Sequence, residues 1–336
     1  MSETNGQFSV GLIGCGGHGR HLSGHLVTIP NTSIAGVQDV SLEAAHSAAD
    51  ELGSTAVATV EALLDLPGLN GVVIACPQFA HKELALKAAA AGKHIFVEKP
   101  MAMTTADCDE MLAAADAAGV KLAVGQVLRL VAPYRRMREL IESESLGEPR
   151  GVVIARSGGR KLDHCWKEAW RKDVNLCGGL LFEVHVHELD LMRAICGEPE
   201  SVYAQGITVV EDDLTYDDLW FVQVRFKGGA GGMLHGGMGC YVGHQFVTIQ
   251  CQHGTVSNHN EAREVLCVKT DETTQRFTLE EAGDHENGSR YELRSWVEAA
   301  RDGTEMVVNG FDGRQAVAMA EAAVRSSESN EVVAVG

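Results

Sequence analysis

Up to about residue 128 the chain alternates short apolar runs with helical ones. Phe8-Ser9-Val10 begins an apolar strand, and a helix-like run follows from about His18 to Ile29. Residues 33–39 read as a second strand, 41–52 as an alanine-rich helix, and 59–66 as a short helix closed by Pro67-Gly68. Residues 71–75, Gly-Val-Val-Ile-Ala, form a continuous apolar run of the kind buried on both faces in a parallel sheet. A helix at 79–91 ends at Gly92, a strand follows at 94–97, a helix at 105–118 stops at Gly119, and 120–124 is another strand. Strands alternating with helices predict an α/β doubly wound parallel sheet, a Rossmann-type domain over residues 1–128.

After about residue 130 the pattern changes. Residues 133–143 read as a helix, 151–156 as a strand and 180–196 as a long helix closed by Gly197 and Pro199. Short β-type runs follow at 201–210, 219–226, 231–235, 245–251, 255–258, 265–269 and 276–279, and helices at 290–301 and 313–324 close the chain. Such a series predicts a second α/β domain over 129–336, built on a large, open, mostly antiparallel sheet.

The first strand runs into Gly14-Cys15-Gly16-Gly17-His18-Gly19. As G-x-G-x-x-G, its glycines have separate tasks. Gly14 allows a tight turn, Gly16 lets backbone approach a pyrophosphate, and Gly19 lets the following helix pack close to the sheet. The helix N-terminus, near Gly17 and His18, then offers N–H groups to the phosphates. Asp39 ends the second strand at the spacing of the carboxylate that binds the adenosine ribose. A 2′-phosphate would meet a like charge there, and no Arg or Lys follows before Lys82, so NAD is expected over NADP. The other reading of Asp39 is a cap for the helix starting near Ser41.

Composition narrows the partners. A formal net charge of −18 repels a nucleic-acid backbone and an anionic membrane surface. The polar N-terminus has neither the basic nor the apolar region of a signal peptide, and no apolar run reaches the length of a membrane span. Nine cysteines without a C-x-x-C pair argue against structural zinc and predict reduced thiols, hence a cytoplasmic protein.

Residues 71–100 contain Cys76-Pro77, then His81, then Glu98-Lys99-Pro100; Gly125, Arg129 and the segment from Gly178-Gly179 to Asp190 follow. With the glycine loop, this series resembles the glucose–fructose oxidoreductase / inositol dehydrogenase superfamily over most of the chain. The resemblance implies an NAD-dependent enzyme that oxidises a secondary hydroxyl of a sugar, cyclitol or glycoside. It implies that Lys99 lies by the nicotinamide and the substrate hydroxyl, with a Lys99–Pro100 bond that is often cis. Cys76, Pro77, His81 and Glu98 would line the cofactor side, although His81 could equally cap its helix. Glu183 and His187 fall on the family's acid-then-histidine pattern, and a spacing of four puts both on one face of a helix. Glu183 stands where Asp is usual and His185 where a small residue is usual, which puts the substrate in doubt.

Two residues could take the alcohol proton. Free lysine titrates at about 10.4 and needs a lowered pKa, whereas histidine starts near 6.5. His187 is therefore the preferred base and Lys99 the group that polarises the oxygen; the reverse assignment stays open. Trp166, Trp170, Arg171 and Asp173 resemble the family's substrate-side loop, where an aromatic face stacks on a sugar ring and charged groups bind hydroxyls. His185 either touches substrate or packs in the core. Asp190 and Arg129 read as structural braces. No metal is expected, since Glu183, His185 and His187 would converge only in an extended segment. Two other classes remain: an NAD-dependent glycosidase using transient oxidation, and a non-catalytic NAD-binding regulator. The apolar strands of the second domain predict a homodimer or homotetramer.

Overall fold

The apolar run Phe8-Ser9-Val10-Gly11-Leu12-Ile13 forms strand β1 (Phe8–Ile13), buried at all positions but Ser9. The computed structural model describes residues 6–159, 168–210, 214–240, 242–258, 264–278 and 287–336. After β1 come α1 (Gly17–Leu26), β2 (Thr32–Gln38), α2 (Leu42–Leu52), β3 (Thr55–Ala56), α3 (Val60–Leu64) and β4 (Gly71–Ile74). Next are α4 (His81–Ala90), β5 (His94–Val97), α5 (Thr105–Ala118) and β6 (Leu122–Val124). All neighbours in the sheet are parallel, in the order β3-β2-β1-β4-β5-β6. The strand order reverses between β1 and β4, and ligands of such sheets bind beyond the strand C-termini at that point. The sequence sets the helix ends. Ser41, Thr59 and Thr104 cap α2, α3 and α5 by accepting from Ala44, Ala62 and Asp107 N–H, and Gly53 and Gly119 stop α2 and α5 in the left-handed conformation.

The second unit begins at Leu128. Its elements are α6 (Ala132–Ser143), β7 (Pro149–Gly159), α7 (Val174–Cys177), α8 (Val186–Cys196), β8 (Pro199–Ile207), β9 (Leu219–Phe226) and β10 (Gly231–Cys240). Then follow β11 (His244–Cys251), β12 (Gly254–Ser257), β13 (Glu264–Lys269) and β14 (Thr274–Thr278). Strand β9 alternates cleanly: Trp220, Val222, Val224 and Phe226 are buried, while Phe221, Gln223 and Arg225 are exposed. One face of the sheet is thus a core, and α8 packs on β7 and β10. The expected meander is interrupted in one place. Strand β7 lies between β10 and β11, parallel to the first and antiparallel to the second. The strand nearest the unit's start in sequence therefore occupies the middle of its sheet.

The last helices correct the domain boundaries read from sequence, which gave all of 129–336 to the second domain. Helix α9 (Gly288–Asp302) belongs to the first unit, which comprises Met1–Val127 and Gly288–Arg314. The reason is Trp296. It is fully buried, its ring edge-on to Phe8 at 5.5 Å and 5.9 Å from Phe96, with Leu293 and Val297 beside it in the same core. Helix α10 (Gly310–Ser329) starts in the first unit, and from Gln315 onward it belongs to the second. There Ser326 Oγ accepts from Ala204 N–H at 2.9 Å. A final two-residue strand, β15 (Val333–Ala334), pairs with β8 and completes the order β14-β13-β12-β11-β7-β10-β9-β8-β15.

Candidate functional site

The glycine loop joins β1 to α1. Gly14 has φ +96°, and a Cβ there would lie 2.5 Å from the Ala75 carbonyl oxygen, so only glycine fits. A Cβ at Gly19 would collide with the Gly14 carbonyl oxygen, so α1 can run this close to the loop only without a side chain. Gly16 and Gly17 behave differently: a Cβ at either would meet no protein atom within 4 Å. Their bare backbone therefore faces open space. Gly16 is the N-cap of the ten-residue α1, so the first N–H groups of the helix are not used by the helix itself. Donors, dipole and open approach together fit a dinucleotide pyrophosphate.

Asp39 follows β2 and is fastened to this loop. Its Oδ2 accepts from Cys15 N–H at 2.7 Å and its Oδ1 from Ser41 N–H at 2.8 Å. Ser41, not Asp39, caps α2. Each Asp39 oxygen accepts one bond from the chain and keeps acceptor capacity for ribose hydroxyls.

A third group gathers at the end of β5. Glu98 is buried; its Oε1 lies 2.9 Å from His18 Nε2, and its Oε2 accepts from Lys99 N–H at 3.1 Å. A Cβ at Gly125 would come within 2.7 Å of Glu98 Oε1, so the glycine makes room for this carboxylate. The pair ties the glycine loop to the Lys99 segment. Lys99 is half-buried, and the Lys99–Pro100 bond is cis. His81 is 1% exposed, with Nδ1 2.9 Å from the Pro100 carbonyl oxygen and Nε2 3.0 Å from that of Cys76. Burial pushes its pKa down, and a neutral ring donates to one of the two. Both nitrogens thus face the chain's own carbonyls, so His81 braces the Cys76 and Pro100 loops from within. Burial also pushes the Cys76 thiol up to about 12, keeping it protonated beside Pro77.

In the second unit the segment before α8 is not a regular α-helix. Leu181–His185 is a π-type turn, and α8 starts at Val186. The interval from Glu183 to His187 therefore crosses two helix geometries, and the four-residue spacing does not carry its usual meaning. Such single π-turns are frequent at functional sites. Buried Glu183 forms an ion pair with Arg171, whose guanidinium stacks over the Trp170 ring at 4.4 Å. Three residues expected at the site, Trp170, Arg171 and Glu183, are thus brought together. Asp173 serves the backbone instead: it caps α7, accepting from Asn175 N–H at 2.9 Å. Trp166 lies outside the described residues. His187, in the first turn of α8, is half-buried.

His185 turns away into the core. It is 1% exposed, and its ring lies against Gly236 of β10, where a Cβ would come within 2.5 Å of Nε2. Its Nδ1 is 3.1 Å from Glu188 Oε2, and Arg156 Nη1 donates to Glu188 Oε1 at 2.8 Å. Sequence reading missed Glu188; the three-residue step from His185 on a helix was the available signal. These partners, the Arg156 charge and the nearby histidines, outweigh burial and lower the Glu188 pKa from 4.5 to about 2. A carboxylate with a lowered folded pKa stabilises the fold above its unfolded pKa and loses that contribution as pH falls. The stability advantage of the wild type over Glu188→Gln should therefore be full above about pH 4.5 and shrink toward pH 2. Urea titrations across that range check it; a constant gap would show that Glu188 is not held ionised.

Comparison with known proteins agrees with the two-unit division. Residues 8–126 match a family described as an oxidoreductase family with an NAD-binding Rossmann fold, and residues 134–257 match the GFO/IDH/MocA C-terminal domain. The myo-inositol 2-dehydrogenase of Thermotoga maritima is 27% identical, over 96% of this chain and 97% of its own. A 2,7-anhydro-N-acetylneuraminate hydratase of Escherichia coli is 29% identical, over 73% of this chain and 66% of its own. A levoglucosan dehydrogenase solved with NADH and levoglucosan has the same fold, with a TM-score of 0.87 at 22% identity over 98% of this chain and 99% of that one.

Proposed function

This chain belongs to the GFO/IDH/MocA oxidoreductase family, and we propose that it oxidises a secondary hydroxyl of a sugar, cyclitol or glycoside to a ketone. The observation that carries the proposal is the position of Lys99. It follows Glu98, which holds His18 of the dinucleotide-binding loop and accepts from the Lys99 backbone N–H, so residue 99 stands just past the C-terminal end of β5, next to a residue of that loop. When bound, NAD⁺ supplies the hydride acceptor. Lys99 is assigned to hold and polarise the substrate oxygen, and His187 to take its proton. Trp170 offers an aromatic face to a sugar ring, and the Arg171–Glu183 pair offers both a donor and an acceptor to hydroxyls.

The likeness to a hydratase favours keeping a second reading, in which oxidation is transient and no NADH accumulates. A panel of sugars, cyclitols and glycosides, followed by NADH absorbance and by product mass, separates the two. Net NADH supports the dehydrogenase. A changed product without NADH supports the second reading, and bound NAD with no product from any compound would leave a regulator.

Asp39 predicts the cofactor. NAD⁺ should be used with a higher kcat/KM than NADP⁺, because the 2′-phosphate meets a carboxylate that the backbone holds in place. Asp39→Ala should narrow the gap. Equal use of both cofactors by the wild type would refute this.

We also propose self-association through the second unit's sheet. On the face turned from its core, Phe221 stacks on His235 at 5.0 Å and His235 on His244 at 5.3 Å, while Phe221 and Met233 remain 43% and 44% exposed. A dimer or tetramer would cover them. Light scattering at micromolar concentration should give a multiple of the 35.9 kDa chain mass; a monomer would refute it. No disulfide joins any pair of the eight described cysteines, which fits a reducing compartment such as the cytoplasm.

A further inference from the structure

The turn that presents Asp39 also carries a cation. Arg20, the residue after Gly19, donates from Nε to the Cys15 carbonyl at 3.0 Å and from Nη2 to the Ala44 carbonyl at 3.4 Å. Its Nη1 forms an ion pair with Glu51. Cys15 also donates its N–H to Asp39, and Ala44 lies in the first turn of α2, just beyond Ser41. The guanidinium is therefore lodged between the glycine loop and the start of α2, at the same gap that Asp39 closes. A 2′-phosphate on the adenosine ribose would arrive at this gap, and arginine is the side chain best shaped to bind it. Left to itself, Arg20 would work against the rejection of NADP⁺ by Asp39.

Glu51 changes that balance. It stands in the last turn of α2, where a carboxylate faces the negative end of the helix dipole, so its place is not explained by α2. Its side chain is 58% exposed and that of Arg20 29%, and an ion pair this open to water adds little to stability. What the pair does achieve is to occupy and neutralise the Arg20 guanidinium, which shares Cys15 with Asp39. We propose that Glu51 is a cofactor-selectivity residue: by holding Arg20, it denies the 2′-phosphate of NADP⁺ a partner. This rests on the dinucleotide-binding role of the first unit. NADP⁺ is then excluded by two elements that act separately, repulsion at Asp39 and a neutralised cation at Arg20.

Calorimetric titration with NAD⁺ and NADP⁺, without substrate, tests this by binding alone. Glu51→Gln should tighten NADP⁺ binding about tenfold, the worth of one charge-assisted bond, and leave the NAD⁺ Kd within about twofold. Glu51→Gln with Arg20→Gln should lose the gain, and Glu51→Gln with Asp39→Asn should exceed either single variant. An unchanged NADP⁺ Kd in Glu51→Gln, a gain that persists without Arg20, or an equal loss of NAD⁺ binding would each overturn the role of Glu51. A wild-type chain that bound neither nucleotide would instead overturn the dinucleotide reading itself.

Discussion

Lys99→Ala and His187→Ala should each lower kcat by roughly 10²–10⁴-fold, the usual worth of a positioned proton acceptor or polarising group. Neither residue belongs to the glycine loop or to the Asp39 turn, so the NAD⁺ Kd should stay close to that of the wild type. A residue that only held the sugar would mainly raise KM. The pH profile separates the two roles. A general base works when deprotonated, so its protonation produces the acidic limb of kcat. If His187 is the base, His187→Ala should flatten that limb, while Lys99→Ala should lower the whole curve and keep its shape. The opposite result would assign the base to Lys99. Near wild-type turnover in both variants, with cofactor bound, would show that the chemistry lies elsewhere.

The Rossmann unit was legible because its signals are local. Gly19 is required by the Gly14 carbonyl five residues before it, and capping residues sit next to the helices they start. Helix α5 has the bounds read from its capping threonine and Gly119. What the sequence does not display is long-range. Nothing in residues 288–302 says that Trp296 belongs against Phe8 and Phe96, because an amphipathic helix states that it has an apolar face and not what the face covers. Strand β7 lies between β10 and β11 for the same reason: alternation marks a strand but not its neighbours.

The candidate site divides along similar lines. Asp39, Glu98 and Lys99 lie at strand ends, where chain position fixes spatial position. Around α8 the reading was harder. The four-residue spacing of Glu183 and His187 puts both on one face only in a regular helix, and the π-turn at Leu181–His185 interrupts it. His185, which sequence alone reads as packing or substrate contact, lies in the core against Gly236, a glycine of a distant strand. Asp173 had the composition of a hydroxyl-binding loop and the task of a helix cap. A polar residue in a loop cannot be told apart from a cap until the backbone around it is known.

Arg129→Met should destabilise the second unit by roughly 3–5 kcal/mol, the typical cost of removing one partner from a buried ion pair. The sequence alone marks Arg129 and Asp190 as two separate braces; the structure joins them. Arg129 Nε donates to Asp190 Oδ2 at 2.7 Å, and Nη2 pairs with Oδ1. Asp190 is fully buried in α8 and Arg129 is 6% exposed, so the carboxylate cannot turn to water when the guanidinium is removed. The two-pronged contact anchors α8, and with it the first turn that carries His187, to the segment that opens the second unit. The loss should appear as a fall in Tm on the order of 10 °C, given roughly 2–4 °C per kcal/mol for a unit of this size. The double variant Arg129→Met/Asp190→Leu distinguishes charge from packing. With both charges gone and apolar volume restored, much of the lost stability should return. A single variant that melts like the wild type would show that the pair does not anchor α8. A double variant no better than the single would show that the cost lies in shape rather than in the stranded carboxylate.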